Sequence, residues 1–185
     1  MASASKDYSA VIIQTPRLTL RPLSVADAPA WLQIMQDPDV LRYWSHGPWK
    51  DEDEAETAIK ADMAALERGE YLKLAIVENE TKRLAGMCLL FGVHEASRRC
   101  WIGFCLANQF WGKGYMTEAL TGFLDYAHKI LAMRRFEADT DPNNTRCQAV
   151  LERMGFEREG LLRERWLVDG EVKDALIYGL VKRDS

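Results

Sequence analysis

No apolar run in this sequence approaches the about 20 residues needed to cross a bilayer, which argues against a membrane span. The first ten residues, MASASKDYSA, lack the apolar core of a secretory signal. They are expected to form a flexible tail ahead of a single domain over residues 11–185. None of the four cysteines (Cys88, Cys100, Cys105 and Cys147) forms a C-x-x-C pair. The three histidines, His46, His94 and His128, show no metal-ligand spacing. These absences argue against a disulfide framework and against a zinc site, so no metal is expected. A basic excess is missing too: the net charge of −4 leaves no strong positive field for a nucleic acid. Together they point to a soluble protein of a reducing compartment, the cytoplasm.

What is present is an ordinary globular balance, 48% hydrophobic and 28% charged, in a length suited to one domain. RLTLR alternates polar and apolar residues and reads as a strand with Leu18 and Leu20 inward. Ser24 and Asp27 begin a helix with Ala28, Trp31, Leu32 and Met35 on one face. The stretch DPDVLRYWSHGPW reads as a loop carrying aromatics. The acidic run Asp51–Glu54 suits a helix N-terminus, where exposed amides are partly positive. Ala55, Ile59, Met63 and Leu66 continue that helix, and Gly69 closes it. Tyr71–Val77 and Leu84–Val93 predict an antiparallel hairpin, and Cys100–Leu106 a central strand. A helix follows, with Tyr115, Ala119, Phe123 and Ala127 in i+4 steps beside Met116, Leu120 and Leu124. Arg135–Thr140 is a strand, Asn144 caps a helix bearing Cys147, Val150, Leu151 and Met154, and a last hairpin turns at Asp169-Gly170. The fold class is therefore α/β (α+β): a mixed, mostly antiparallel sheet of about seven strands with helices on both faces.

Strand, glycine turn, helix is a geometry for anions. The stretch NQFWGKGYMTEAL places Gly112 and Gly114 where the backbone opens a helix. The first amides of a helix lack intrahelical partners, and its dipole favours negative charge there. The turn has neither the G-x-G-x-x-G of a dinucleotide site nor a P-loop's spacing. Read as Q-x-x-G-x-G over Gln109–Gly114, it resembles the acyl-CoA loop of the GCN5-related N-acetyltransferases (GNAT). TPRLTLRPLSVADA resembles the opening of the branch that acetylates ribosomal-protein N-termini. NNTRCQAVLERMGFEREG is similar to that branch's N-x-x-S…GF segment, and LLRERWLVDGEVKDALIYGL to its terminal hairpin. The likeness runs from Val11 to Val181.

The resemblance implies direct transfer of an acetyl group from acetyl-CoA to an amine, either a peptide N-terminus or a small amine. Gln109 and the amides of Trp111, Gly112, Lys113, Gly114, Tyr115, Met116 and Thr117 would hold the CoA pyrophosphate. The family splays its fourth and fifth strands, here Cys100–Leu106 and Phe136–Thr140. The freed edge would pair with the pantetheine arm through Phe104, Cys105 and Leu106, and an amide near Phe104 or Cys105 would meet the oxyanion. Asn144 matches the segment's asparagine, and Cys147 replaces its serine, usually the donor to the leaving thiolate. A helix N-terminus is expected to lower that thiol's pKa. Trp101 stands where many relatives place a glutamate base.

The acceptor side is expected to use Arg42, Tyr43, Trp44 and Trp166, with Ser45, His46, Trp49, Arg163 and Arg165 nearby. Glu137, Asp139 and Asp141 have no assigned role, and each reads first as a surface group. A homodimer is common in such enzymes. The competing readings are a non-catalytic acyl-CoA-binding or sensory module of the same fold, and an unrelated phosphate-binding α/β domain.

Overall fold

The computed structural model describes residues 6–183. Eight strands form one sheet: β1 (Ile13–Gln14), β2 (Leu18–Arg21), β3 (Leu72–Glu78), β4 (Leu84–His94), β5 (Arg99–Leu106), β6 (Arg135–Thr140), β7 (Glu157–Val168) and β8 (Glu171–Val181). Their order across the sheet is β1-β2-β3-β4-β5-β6-β8-β7. All neighbours are antiparallel except β5 and β6, which run parallel. Five helices accompany them: α1 (Ala28–Gln36), α2 (Pro38–Leu41), α3 (Glu52–Glu67), α4 (Tyr115–Lys129) and α5 (Thr145–Arg153). The sheet has one strand more than expected. β1 is two residues long, too short to show alternation, and exists by pairing Ile13 with Leu20.

Helix α1 packs with α3 against β3 and β4, and α4 packs on β1, β2 and β4 with α5 beside it. Consecutive residues Leu74–Val77 of β3 and Leu84–Cys88 of β4 are all buried. Such runs mean both faces of the central strands are covered.

Local chemistry explains most element ends. The Asp51 side chain accepts the Glu54 amide at 3.0 Å, so the acidic run does start a helix. Asp27 accepts the Ser24 amide at 2.8 Å and pairs with Arg21 at 2.7 Å, opening a 3₁₀ turn before α1. Asp169 and Gly170 have φ of 51° and 81°, the paired left-handed turn their dipeptide predicts. All seven residues expected inside α4 are buried.

One helix face differs. Met63 is 38% exposed, and Asp62, 8% exposed, takes the inward position. Steps from Ala55 through Ile59 to Leu66 keep to one stripe only if the middle step is three residues, not four. Asp62 is held by Tyr71 Oη at 2.7 Å and Lys73 Nζ at 2.6 Å. Of the ten residues ahead of the domain, 1–5 lie outside the described residues; Tyr8 is buried and its amide donates to the Leu66 carbonyl.

Candidate active site

The parallel pair β5–β6 is short. Arg99, Cys100 and Trp101 pair with Arg135, Phe136 and Glu137, and there the pairing stops. Beyond it β5 stays on β4 as far as Leu106, and β6 stays on β8 as far as Thr140. The strands therefore diverge, and the β6-facing backbone of Ile102–Cys105 has no strand partner. Such an edge is a ready template for an amide-bearing ligand. An ion cluster clamps the closed end: Glu137 accepts from Arg99 at 3.1 Å and Arg135 at 2.8 Å, and Arg135 reaches Glu159 at 2.5 Å. Hydrogen bonds donated to Glu159 and Glu137 push the Arg135 guanidinium well above its ordinary range.

At the far end of β5 lies the glycine turn. Gly112 and Gly114 have φ of 74° and 76°, where a Cβ is strained. A Cβ on Gly112 would meet no atom within 4 Å, so the backbone faces open space. The Trp111 amide is committed to the Asn108 carbonyl at 3.0 Å. Among the described residues the amides of Gly112, Lys113 and Gly114 have no protein acceptor, and the first amides of α4 are orphaned as at any helix start.

Side chains fix this turn from behind. Arg17 donates to the Lys113 carbonyl at 3.0 Å and to Glu118 at 2.6 Å. Gln109 accepts from Arg83 at 2.5 Å, and the Trp111 indole donates to the Leu106 carbonyl at 2.8 Å. Tyr115 and Met116 are buried in the core. Lys113 rests its ammonium 5.4 Å from the Phe110 ring centre. The turn thus offers amides to an anion, with Lys113 beside them and Arg146 stacked 4.4 Å from the Trp111 ring. Arg17 and Arg146 lie in segments read for other reasons and Arg83 in none, and all three join the turn only through folding. A cleft of about 450 Å³ lies behind it, lined by Gln33, Asp37, Arg83 and Gln109, and does not include the opening between β5 and β6.

Asn144 and Cys147 stand at the start of α5. The Asn144 side-chain oxygen accepts the Cys147 amide at 3.1 Å, so its carbonyl serves as the helix cap. Phe104 is partly exposed, whereas Cys105 and Leu106 are buried. The Cys147 thiol is half-buried, and burial pushes its pKa up to about 11. The Thr140 hydroxyl beside it lowers the value, and the Asp139 carboxylate raises it further. The lowering expected from the helix start is therefore outweighed by desolvation.

Two of the four expected acceptor-side residues reach this corner. Tyr43 Oη donates to the Asn143 carbonyl at 3.1 Å. The Trp166 indole N–H donates to Asp139 Oδ2 at 2.7 Å. Two do not. Arg42 is tied to Asp39 at 2.6 Å within its own turn, and Trp44 packs on the core with its edge against His46. Asp139 and Thr140 are the group sequence reasoning left without a role. Their only signal was position: they end the strand that parts from β5. No cluster of three or more His, Cys, Asp or Glu side chains able to hold a metal occurs among the described residues.

The acetyltransferase (GNAT) domain family matches residues 17–157. An uncharacterised N-acetyltransferase of Bacillus licheniformis, p20, is 31% identical over 93% of this chain and 97% of its own length. The [ribosomal protein uS5]-alanine N-acetyltransferase of Escherichia coli is 29% identical over 63% of this chain and 61% of its own. Mycobacterium smegmatis RimJ, in complex with CoA-disulfide, superposes with a TM-score of 0.82 at 26% identity, covering 92% of this chain and 86% of that one. A parted strand pair that ends in a glycine turn is what a CoA thioester needs in order to be gripped at both ends, and the chain belongs to the GNAT acetyltransferase family, as an enzyme that moves acetyl groups from acetyl-CoA to an amine.

Proposed function

We propose that the amine is the α-amine at the N-terminus of a protein. The observation that carries this reading is that the last residue pair before β5 and β6 part offers no free base. Trp101, where β5 and β6 part, has no proton-accepting atom, and Glu137 opposite is neutralised by two arginines. An amine must be neutral to attack. At pH 7 an α-amine of pKa about 8 is roughly one-tenth neutral, and a lysine of pKa about 10.4 only ~1 part in 2,500. A parting point without a free base favours the first. The naming of the E. coli relative for uS5 alanine is in keeping with it.

In this reading the CoA pyrophosphate rests on the amides from Gly112 to Thr117, and the pantetheine arm pairs with β5 near Phe104. A β5 amide meets the developing oxyanion. Cys147 donates its S–H toward the leaving sulfur. Holding the two reactants in line supplies much of the acceleration. The enzyme works in the cytoplasm, where its thiols stay reduced.

The deciding experiment follows release of CoA thiol with three acceptors: a peptide with a free N-terminal alanine or serine, an N-blocked peptide with one lysine, and spermidine. The α-amine peptide is expected to show the highest kcat/KM, at least tenfold above the others. Preference for lysine or polyamine overturns the assignment. Separately, Gly114→Ala forces a Cβ into the left-handed region at about 1–2 kcal/mol. Its expected result is a roughly tenfold rise in KM for acetyl-CoA with little change in kcat; an unchanged KM removes the turn from CoA binding.

A further inference from the structure

Three carboxylates lie on or just after β6, and they differ in their partners. Glu137 is held by Arg99 and Arg135. Asp141 accepts the Asn143 amide at 2.8 Å and its side-chain amide at 3.0 Å, forming the turn before α5. Asp139 has no cation among the described residues; its one hydrogen-bond partner is the Trp166 indole N–H. It sits two residues past the last β5–β6 pair, Trp101 with Glu137, and so inside the divergence. It is close enough to Cys147 for its charge to raise that thiol.

The surroundings are built to orient this carboxylate. An indole N–H at 2.7 Å fixes one oxygen and leaves the other free. Arg165 of β7 lies over the Trp166 ring, 5.3 Å from its centre, and makes no ion pair with Asp139 among the described residues. Tyr43 donates its hydroxyl to the Asn143 carbonyl, four residues beyond Asp139 in the chain. A partly buried carboxylate without a cation carries a desolvation cost that a visiting cation relieves. The Trp166 indole that holds Asp139 puts an aromatic ring beside the same place, which adds attraction for a cation.

We propose that Asp139 is the counter-ion for the acceptor's ammonium. Aimed by Trp166, its free oxygen receives the protonated amine at the mouth between β5 and β6 and sets it beside the thioester. The amine then gives its proton to water and attacks. Asp139 is thus a residue of acceptor binding and selection, and its role rests on the α-amine reading above only for which ammonium arrives. A cationic amine is preferred to an isosteric neutral nucleophile because the latter leaves Asp139 unpaired.

The test is steady-state kinetics of Asp139→Asn, Asp139→Glu and Trp166→Phe with the alanine peptide, and with lysine peptide and spermidine in parallel. A peptide bearing a hydroxyl in place of its terminal amine serves as a competitive inhibitor. Asp139→Asn is expected to raise KM for the preferred amine by about tenfold or more, leaving KM for acetyl-CoA and the inhibition constant of the hydroxyl peptide unchanged. Trp166→Phe should give a smaller rise of the same kind, and Asp139→Glu a partial return. An unchanged amine KM overturns the proposal. So does a fall in kcat alone, which would mark a proton-transfer group, or an equal loss for the hydroxyl peptide, which would mark a structural one. If Asp139→Asn fails to bind acetyl-CoA or to fold, the glutamate variant decides by the same comparison. Should the lysine peptide or spermidine be the preferred acceptor, the α-amine assignment fails while the Asp139 result on that amine still stands or falls by itself.

Discussion

Cys147→Ala is expected to lower kcat roughly 10- to 100-fold at saturating acetyl-CoA, and Cys147→Ser to keep or exceed the parent rate. The range is the ~1.5–3 kcal/mol that a hydrogen bond to a charged group is worth. Burial holds the Cys147 thiol at about 11, so near neutral pH it is an S–H. That form has two consequences. It is a poor nucleophile, because the thiolate is the reactive species, so acetyl-CoA is not diverted into an acetyl-cysteine. It can, however, donate a hydrogen bond to the thiolate that CoA becomes as the C–S bond breaks. Complete proton transfer from a thiol near 11 to one near the ordinary ~8.5 would be uphill by about 3 kcal/mol. Stabilisation by a donated hydrogen bond is the role left. Serine is the stronger donor and restores it; alanine offers nothing. Stopped-flow or steady-state detection of free CoA thiol decides: an alanine variant with the parent kcat removes Cys147 from the chemistry. The acetylated amide forms from the attacking amine nitrogen in either case, and the last amine proton leaves to solvent.

Stability should fall steeply on the alkaline side. Burial pushes Cys100 and Cys105 up to about 12, and Cys88 higher still. In the unfolded chain a thiol ionises near ~8.5. Below that value both states keep their protons and the contribution is complete. Above it the unfolded state loses protons that the folded state retains, so the native state binds more and stability declines with rising pH. Each such thiol contributes a slope of ~1.4 kcal/mol per pH unit, and three together ~4 kcal/mol per unit between about pH 9 and 12. Urea midpoints measured from pH 7.5 to 10.5 are expected to be level at first and then to drop sharply. A midpoint that stays flat to pH 10.5 would show that these thiols reach water in the folded state. The loss is one of protonation, so returning the pH should recover the midpoint in the presence of a reductant.

The four cysteines carry a lesson about legibility. Composition read them as free thiols and left their roles alike. Three lie in the sheet core, and one sits half-exposed at a helix start. Spacing along the chain could not separate them, because burial depends on which strand lies beside which. The same limit applies to Cys147 itself. Helix-start chemistry was legible and argues for a lowered thiol; the burial that reverses it exists only in the folded chain, and the Asp139 carboxylate at the end of β6 adds to it while the Thr140 hydroxyl opposes it.

Local pattern accounts for what the chain spells out within a few residues. The stripe of α4, the Asp51 cap, the Asp169-Gly170 turn and the positive φ at Gly112 and Gly114 all follow from steric and hydrogen-bonding rules acting over one or two turns. The family likeness named the strands that part. Contacts across long separations account for the rest. Arg17 reaches Glu118 across 101 residues, Tyr43 reaches Asn143 across 100, and Trp166 reaches Asp139 across 27. No periodicity encodes such pairs, because they exist only once the sheet order β5-β6-β8-β7 has brought the hairpin back beside the opening. The glycine turn, a backbone conformation, could therefore be read along the chain. The corner to which Tyr43, Asp139 and Trp166 come from separate parts of the chain, proposed above for the acceptor, came into being with the packing.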